Sequence, residues 1–169
     1  MTQDLDGVLA DFKRSAVQRD RDGGHPATEK EQLRRLGLLR LSIPEAYGGR
    51  GQSWPQIMAL VRRVAAVDSA LAHLLAFHHL QVATVLIYGS QEQQERWLTE
   101  TAELQGWWGN GVNQLDTRLV AAESGEDFQL DGTKGFCSGT RGSSYMTLTA
   151  RHHESGVLLL GIGRTPAPG

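Results

Sequence analysis

The chain holds a single cysteine, Cys137, so no internal disulfide can brace it. It lacks Cys-x-x-Cys and His-Glu-x-x-His spacings, and its two histidine pairs, His78-His79 and His152-His153, are sequence neighbours rather than i,i+4 ligands facing one ion. A metal centre is therefore not expected. Gly-x-Ser-x-Gly is absent as well, which removes the strand-to-helix nucleophile turn of a serine hydrolase. Neither sign of charge dominates: the net charge is −2 and the pI near 6.3, giving no basic footprint for nucleic acid. No run approaches the ~18 uninterrupted apolar residues that span a bilayer. The acidic start, Met1-Thr-Gln-Asp-Leu-Asp6, lacks the positive and apolar regions of a secretion signal. These absences point to a cytoplasmic protein with neither membrane nor nucleic acid as partner.

What is present is 169 residues of globular composition, 40% hydrophobic and 21% charged, enough for one domain or two small ones. Leu5, Val8, Leu9, Phe12, Ala16 and Val17 recur at helical spacing and predict a first helix ending near Arg19–Gly24. Thr28 and Glu31 are spaced as a capping box for a second, with Leu33 and Leu36 turned inward and Gly37 as its stop. Leu38 to Ile43 runs apolar into Pro44 and is expected to cross the core extended. The glycine-rich Pro44–Gly51 lacks a following Lys-Ser/Thr, so a structural turn is favoured over a phosphate loop. Ser53 with Pro55 starts a third helix whose buried face is Ile57, Leu60, Val61, Val64 and Ala65. Ser69 is the expected cap of a fourth, Ala70 to Tyr88, apolar on most of its circumference and so central. Ser90 caps a fifth, to about Glu103.

After Gly106 the texture becomes short strand-like runs between turn residues: Trp107–Val112, Phe128–Leu130, Tyr145–Ala150 and Val157–Ile162. An α+β chain follows, with residues 1–104 helical and residues 105–169 the β part, ending at Thr165-Pro-Ala-Pro-Gly169. Asp131-Gly132 is the dipeptide of a tight hairpin turn, leading into an expected strand from Thr133 to Ser138. The loop Gly139–Ser143 then offers two glycines, two hydroxyls and a guanidinium around which a polar or anionic ligand could be closed. On these residues alone, a strand and a surface turn are the plainer reading.

The line Asp131-Gly-Thr-Lys-Gly-Phe-Cys-Ser-Gly139 resembles the flavin-contacting strand of the acyl-CoA dehydrogenase superfamily. The resemblance is closest to its flavin-dependent monooxygenase branch, the dibenzothiophene monooxygenases and related sulfur-compound enzymes. Pro44–Gly51 is similar to that superfamily's P-x-x-Y-G-G-x-G turn. Where the dehydrogenases carry T-E-P-x-x-G-S-D, this chain has Trp107-Trp-Gly-Asn-Gly-Val-Asn-Gln-Leu-Asp116, which keeps only the final acid and is similar to the monooxygenase branch. The implied fold is an all-α amino-terminal domain followed by the first part of an antiparallel β-barrel domain, without the carboxy-terminal helical bundle. The resemblance covers about the first two-fifths of such proteins, so the chain as given is expected to be incomplete for activity and to bind flavin weakly or not at all by itself.

The resemblance also implies a site. Asn110, Gly111, Val112, Asn113, Gln114 and Leu115 would approach the flavin edge, Asn supplying donor and acceptor without charge. Phe136 would pack on the ring, and Ser138, Gly139, Thr140, Arg141, Gly142 and Ser143 would form the second contacting loop. Ser143 and His78 would be the catalytic pair, steadying the oxygenated flavin and relaying its proton. From residues alone, His78 on the apolar face of Leu71, Leu74 and Leu75 reads more simply as a core histidine, and Arg141 as a solvated charge. The implied cofactor is FMN, reduced by a separate flavin reductase, or FAD. The partners would be a small sulfur-containing or aromatic substrate and further copies of the chain, a tetramer in the family. An acyl-CoA dehydrogenase is the alternative in the same fold, and a non-catalytic truncated chain or helical interaction module the alternative outside catalysis.

Overall fold

The computed structural model describes residues 4–165. It divides between Trp107 and Trp108 into a helical unit and a β unit. The Met1–Gln3 start and the Pro166–Gly169 tail lie outside the described residues.

In the helical unit, α1 (Leu5–Asp22) is capped by Asp4, whose carboxylate accepts from Gly7 N at 2.9 Å. Its Val8, Leu9 and Phe12 are buried, whereas Val17 faces solvent. The second helix, α2 (Ala27–Arg35), starts directly after Pro26 and has no side-chain cap. The capping box expected at Thr28 and Glu31 is thus not formed, because the helix opens at Ala27, two residues too early for it, and leaves Thr28 inside the first turn. Glu31 pairs with Arg34 and Arg35 instead. Gly37 leaves the helix at φ 70°, in the left-handed region glycine occupies without penalty.

Leu38–Arg40 is a 3₁₀ turn, not the extended crossing the apolar run suggested. A strand would have turned alternate residues outward, whereas this turn and the bend after it bury Leu38, Leu39, Leu41 and Ile43 together. Its carbonyls are met by the glycine-rich turn: Arg50 N, Gly51 N and Gln52 N donate to Arg40 O, Ile43 O and Leu41 O at 2.8–3.0 Å. A Cβ on Gly49 would lie 1.9 Å from Ile43 O, so the glycines of Pro44–Gly51 serve chain packing.

Helix α3 (Trp54–Ala65) buries Ile57, Leu60 and Val64, while Ala65, expected inside, is exposed. The next helix, α4 (Ser69–Tyr88), is capped by Asp68 rather than Ser69: Asp68 Oδ1 accepts from Leu71 N at 2.9 Å. The same carboxylate meets Arg19, which also bonds Glu29 at 2.9 Å and so ties α1 and α2 to the start of α4. By length and composition alone α4 could cross a bilayer, although His73, His78, His79 and Gln81 interrupt its apolar run. Leu71, Leu75, His78, His79, Val82 and Val85 nevertheless lie buried in the helical unit. Finally α5 (Gln91–Leu104) carries a Ser90–Gln93 capping box.

The β unit is one five-stranded mixed sheet. Its centre is β4 (Tyr145–His152), which pairs with β5 (Leu158–Arg164) antiparallel along one edge. On the other edge β4 pairs in parallel with β1 (Trp108–Gly111) and, further along, with β2 (Leu119–Ser124). β2 makes an antiparallel hairpin with β3 (Asp127–Gly132). The pairing is therefore not purely antiparallel as expected. The hairpin turn is Gly125-Glu126, with Gly125 at φ 65°, and not Asp131-Gly132, which ends β3. The expected strand from Thr133 to Ser138 is irregular backbone with a single bridge at Ser138. Leu119, Ala121, Leu148 and Ala150 form the core beneath.

Candidate functional site

Strand β1 is buried along its whole length and delivers Asn110 to the loop that follows. Asn110 N donates to Ser138 O at 2.8 Å, which joins this strand to the Cys137–Ser143 segment. The approach is close. A Cβ on Gly109 would stand 2.8 Å from Thr140 Cα. Gly139 and Gly142 turn the segment at φ 71° and 67°, and Ser143 closes it, its N and Oγ both donating to Thr140 O at 3.1 and 2.7 Å. Ser143 is buried, and its hydroxyl proton is engaged by that carbonyl. Arg141 is exposed. The structure thus brings Asn110, Ser138, Gly139, Thr140 and Ser143 into one cluster from segments nearly thirty residues apart.

Beyond Asn110 the chain turns outward. Asn110 Oδ1 accepts from Val112 N at 3.3 Å, and Asn113 N donates to Thr149 Oγ1 at 3.2 Å. Gln114 and Leu115 are exposed. A cleft of about 330 Å³ opens here, lined by Asn113, Leu115, Asp116, Arg118, Gly135 and Phe136. Leu115 is 94% and Phe136 89% exposed, two large apolar side chains bared to solvent at the same cleft. Phe136 stands at φ 58°, a left-handed conformation unusual for a bulky residue and typical of a site where the surroundings hold the backbone.

The floor of the cleft was not anticipated as a unit. Arg118 Nε and Nη2 donate to Asp116 Oδ1 and Oδ2, each at 2.8 Å, a two-pronged pair. Gly135 N also donates to Asp116 Oδ2, at 2.6 Å, and Lys134 Nζ to Asp116 O at 2.7 Å. The Arg118 bonds, then the Gly135 N–H, hold the Asp116 carboxyl well below the usual carboxylate range. The sequence signal was the surviving acid followed two residues later by an arginine. Burial pushes the neighbouring Cys137 thiol up, so it is a poor nucleophile.

His78 belongs to the helical unit. It is fully buried, its Nε2 donating to Leu39 O at 2.6 Å, with the Trp107 ring edge-on at 5.5 Å. Burial lowers its pKa to about 4, with nearby Lys30 adding to the effect, so the imidazole is neutral. His79, beside it, is equally buried and hydrogen-bonded through Nδ1 to Ser42 Oγ at 2.7 Å. Lys30 lies over the Trp107 ring at 5.0 Å, and desolvation, then Arg34, lowers its pKa to about 8.

Residues 8–105 match the acyl-CoA dehydrogenase N-terminal domain, more than half of the chain. The chain belongs to that family. Across 153 residues it is 43% identical to a probable FMNH2-dependent monooxygenase, SfnC, of Pseudomonas putida, covering 90% of this chain and 39% of SfnC. The structure of methanesulfinate monooxygenase MsuC from Pseudomonas fluorescens superimposes with a TM-score of 0.88 at 41% identity, over 93% of this chain and 41% of that one. FMN-bound TdsC, a dibenzothiophene monooxygenase from Paenibacillus sp. A11-2, superimposes with a TM-score of 0.86 at 29% identity, over 93% and 42%. The chain thus spans about two-fifths of the length of these relatives, and the acyl-CoA dehydrogenase-like fold extends through both units.

Proposed function

We propose that this protein is a flavin-dependent monooxygenase that uses reduced FMN and O2 to oxygenate a sulfur-containing or aromatic small molecule. The observation that carries this reading is the cleft itself. The Asn113 amide, the Asp116–Arg118 ion pair and two bared apolar side chains, Leu115 and Phe136, line it where the monooxygenase-like Asn110–Leu115 loop replaces the dehydrogenase motif. SfnC, MsuC and TdsC are monooxygenases, and their likeness to this chain supports the same class. The residues present fit a flat heterocycle with a polar edge: apolar faces for the ring, amide and backbone groups for its nitrogens and oxygens. When bound, reduced FMN supplies the electrons that activate O2.

The chain's own groups then divide the remaining work. Asn113, Leu115 and Phe136 would orient the ring, and Gly139–Ser143 would border its reacting edge. Asn110 and Ser143 are buried and carry no charge, which suits oxygen transfer away from bulk water. Ser143 would release its hydrogen bond to Thr140 O to hold a proton at Oγ toward the bound ring's reacting edge, a rotation about one side-chain bond. His78, if it carries a proton for the reaction, does so as a neutral imidazole. A separate reductase would supply the reduced FMN, a cytoplasmic setting would provide both, and the family resemblance makes a homo-oligomer the working assembly.

Membership of the acyl-CoA dehydrogenase family keeps a dehydrogenase as the second reading. Acyl-CoA thioesters with an artificial electron acceptor separate the two. The monooxygenase reading expects no acyl-CoA-dependent dye reduction by the intact protein, and rapid reduction would overturn it.

A further inference from the structure

Asp116 touches nothing that reacts in the reading above, yet bonds from Arg118, Lys134 and Gly135 converge on it. Its two carboxylate oxygens take the Arg118 fork and the Gly135 N–H, and its carbonyl takes Lys134 Nζ. The Arg118 fork fixes the carboxylate within the 116–118 turn, and the bonds from Gly135 N and Lys134 Nζ fasten that turn to Lys134–Gly135, eighteen residues away in sequence. The residues next to the fastened ones are Leu115 and Phe136, the exposed walls of the cleft.

We propose that Asp116 is a positioning residue, whose carboxylate clamps the two turns together and so holds Leu115 and Phe136 apart as walls for a flat aromatic ring. The inference rests on the flavin reading for the identity of that ring. A Phe at φ 58° with little packed around its ring must be held through the backbone beside it, because the left-handed region is unfavourable for a bulky side chain. On its far side Cys137 Sγ donates to Lys134 O and Gly135 O, and on its near side Gly135 N is held by the Asp116 carboxylate at 2.6 Å, a restraint that comes from across the cleft. The restraint is also tight: a Cβ on Gly135 would stand 3.2 Å from both Asp116 Oδ2 and Arg118 Nη2. A preformed cleft spares the ligand the entropy of ordering two side chains, so the clamp acts on affinity. Asparagine cannot replace it, since a single amide oxygen cannot accept both prongs of the guanidinium and the Gly135 N–H.

The test uses the intact protein labelled with 4-fluorophenylalanine, in which Phe136→Leu assigns one of the four Phe resonances. In Asp116→Ala, and in Gly135→Ala, which keeps every bonding group but spreads the clamp, the Phe136 ¹⁹F line should narrow towards that of a freely turning ring. The Phe12, Phe77 and Phe128 lines should stay in place, and the FMN dissociation constant should rise at least about tenfold. Should Asp116→Ala unfold, shown by collapse of the Phe12 and Phe128 lines, Gly135→Ala alone decides. An unchanged Phe136 line overturns the clamp, and a narrowed line with unchanged FMN affinity overturns its role in binding. Where the unsubstituted chain itself binds no FMN, as expected of about two-fifths of its relatives' length, the Phe136 line judges the clamp by itself and the turnover experiment judges the flavin reading.

Discussion

Asn110 and Ser138 are joined by one backbone hydrogen bond of 2.8 Å, and through it the two segments that carry the candidate site become one surface. The bridge forms because Gly109 lets Thr140 lie directly over β1. Gly109→Ala would drive a Cβ to 2.8 Å from Thr140 Cα, backbone that cannot swing away. The expected result is a loss of about 1–3 kcal/mol in stability, typical of overpacking, with weaker FMN binding. Urea unfolding and a flavin fluorescence titration measure the two.

Ser143→Ala removes the Oγ bond to Thr140 O while keeping the Ser143 backbone bond to the same carbonyl. Stability should change by only about 1 kcal/mol. If the hydroxyl attends the reacting edge of the bound flavin, hydrogen peroxide should rise and oxygenated product fall by roughly 10²-fold. Unchanged coupling, measured as product formed per O2 consumed, would make the serine a turn residue only.

His78→Ala is expected to cost about 3 kcal/mol or more, because it empties a fully buried site and strips Leu39 O of its donor. Product per O2, measured at a temperature where the variant is fully folded, then separates a core histidine from a proton carrier. Normal coupling assigns His78 to the core.

The pH dependence of the helical unit follows from burial of neutral imidazole. His78 has a folded pKa of about 4 against an ordinary 6.5, so between these values the unfolded chain binds the extra proton. Stability should therefore be level between about pH 7 and 8 and fall as pH drops from 6.5 towards 4, by up to about 1.4 kcal/mol per pH unit for each such histidine. His79 is shifted in the same direction and should steepen the fall. Denaturant midpoints between pH 4 and 8 test this, and a level profile would contradict it.

Lys30 carries a buried charge whose folded pKa, about 8, lies below the ordinary 10.5. The penalty for burying the ammonium is present below pH 8 and is relieved as pH rises from 8 to 10.5. Lys30→Met should consequently stabilise the protein at pH 7 by about 1–3 kcal/mol, the contact with Trp107 being kept as an apolar one. Calorimetry at pH 7 and pH 10 should show the gain shrinking at the higher pH.

The helices were readable because their apolar periodicity and end signals agree, as at Ser90–Gln93 and in the buried row from Leu71 to His78. End signals misled where a stronger neighbour competed: Pro26 started α2 before Thr28 could cap it, and Asp68 took the cap expected of Ser69. Leu38–Ile43 went astray because an apolar run does not reveal whether its backbone is met by a strand or by the glycine turn that in fact binds it. In the β unit, Asp131-Gly132 carries the hairpin dipeptide, but Gly125 takes the turn because β2, whose Leu119–Ser124 has little aromatic or turn punctuation, pairs in front of it. The Asn110 and Gly139–Ser143 segments could be singled out one by one from their composition. Their meeting, and the Asp116 clamp beside it, depend on pairings between residues far apart in sequence, which no local pattern encodes.

Turnover under ¹⁸O2 tests the proposed reaction most directly. Intact protein would be given FMN, a flavin reductase with its nicotinamide donor, and a thiophene or sulfinate substrate, and the product mass read by mass spectrometry. The monooxygenase reading predicts one ¹⁸O atom gained per oxygenation, dependent on reduced FMN and unaltered by catalase. Product without the label, or no product while acyl-CoA reduces the dye, would contradict it.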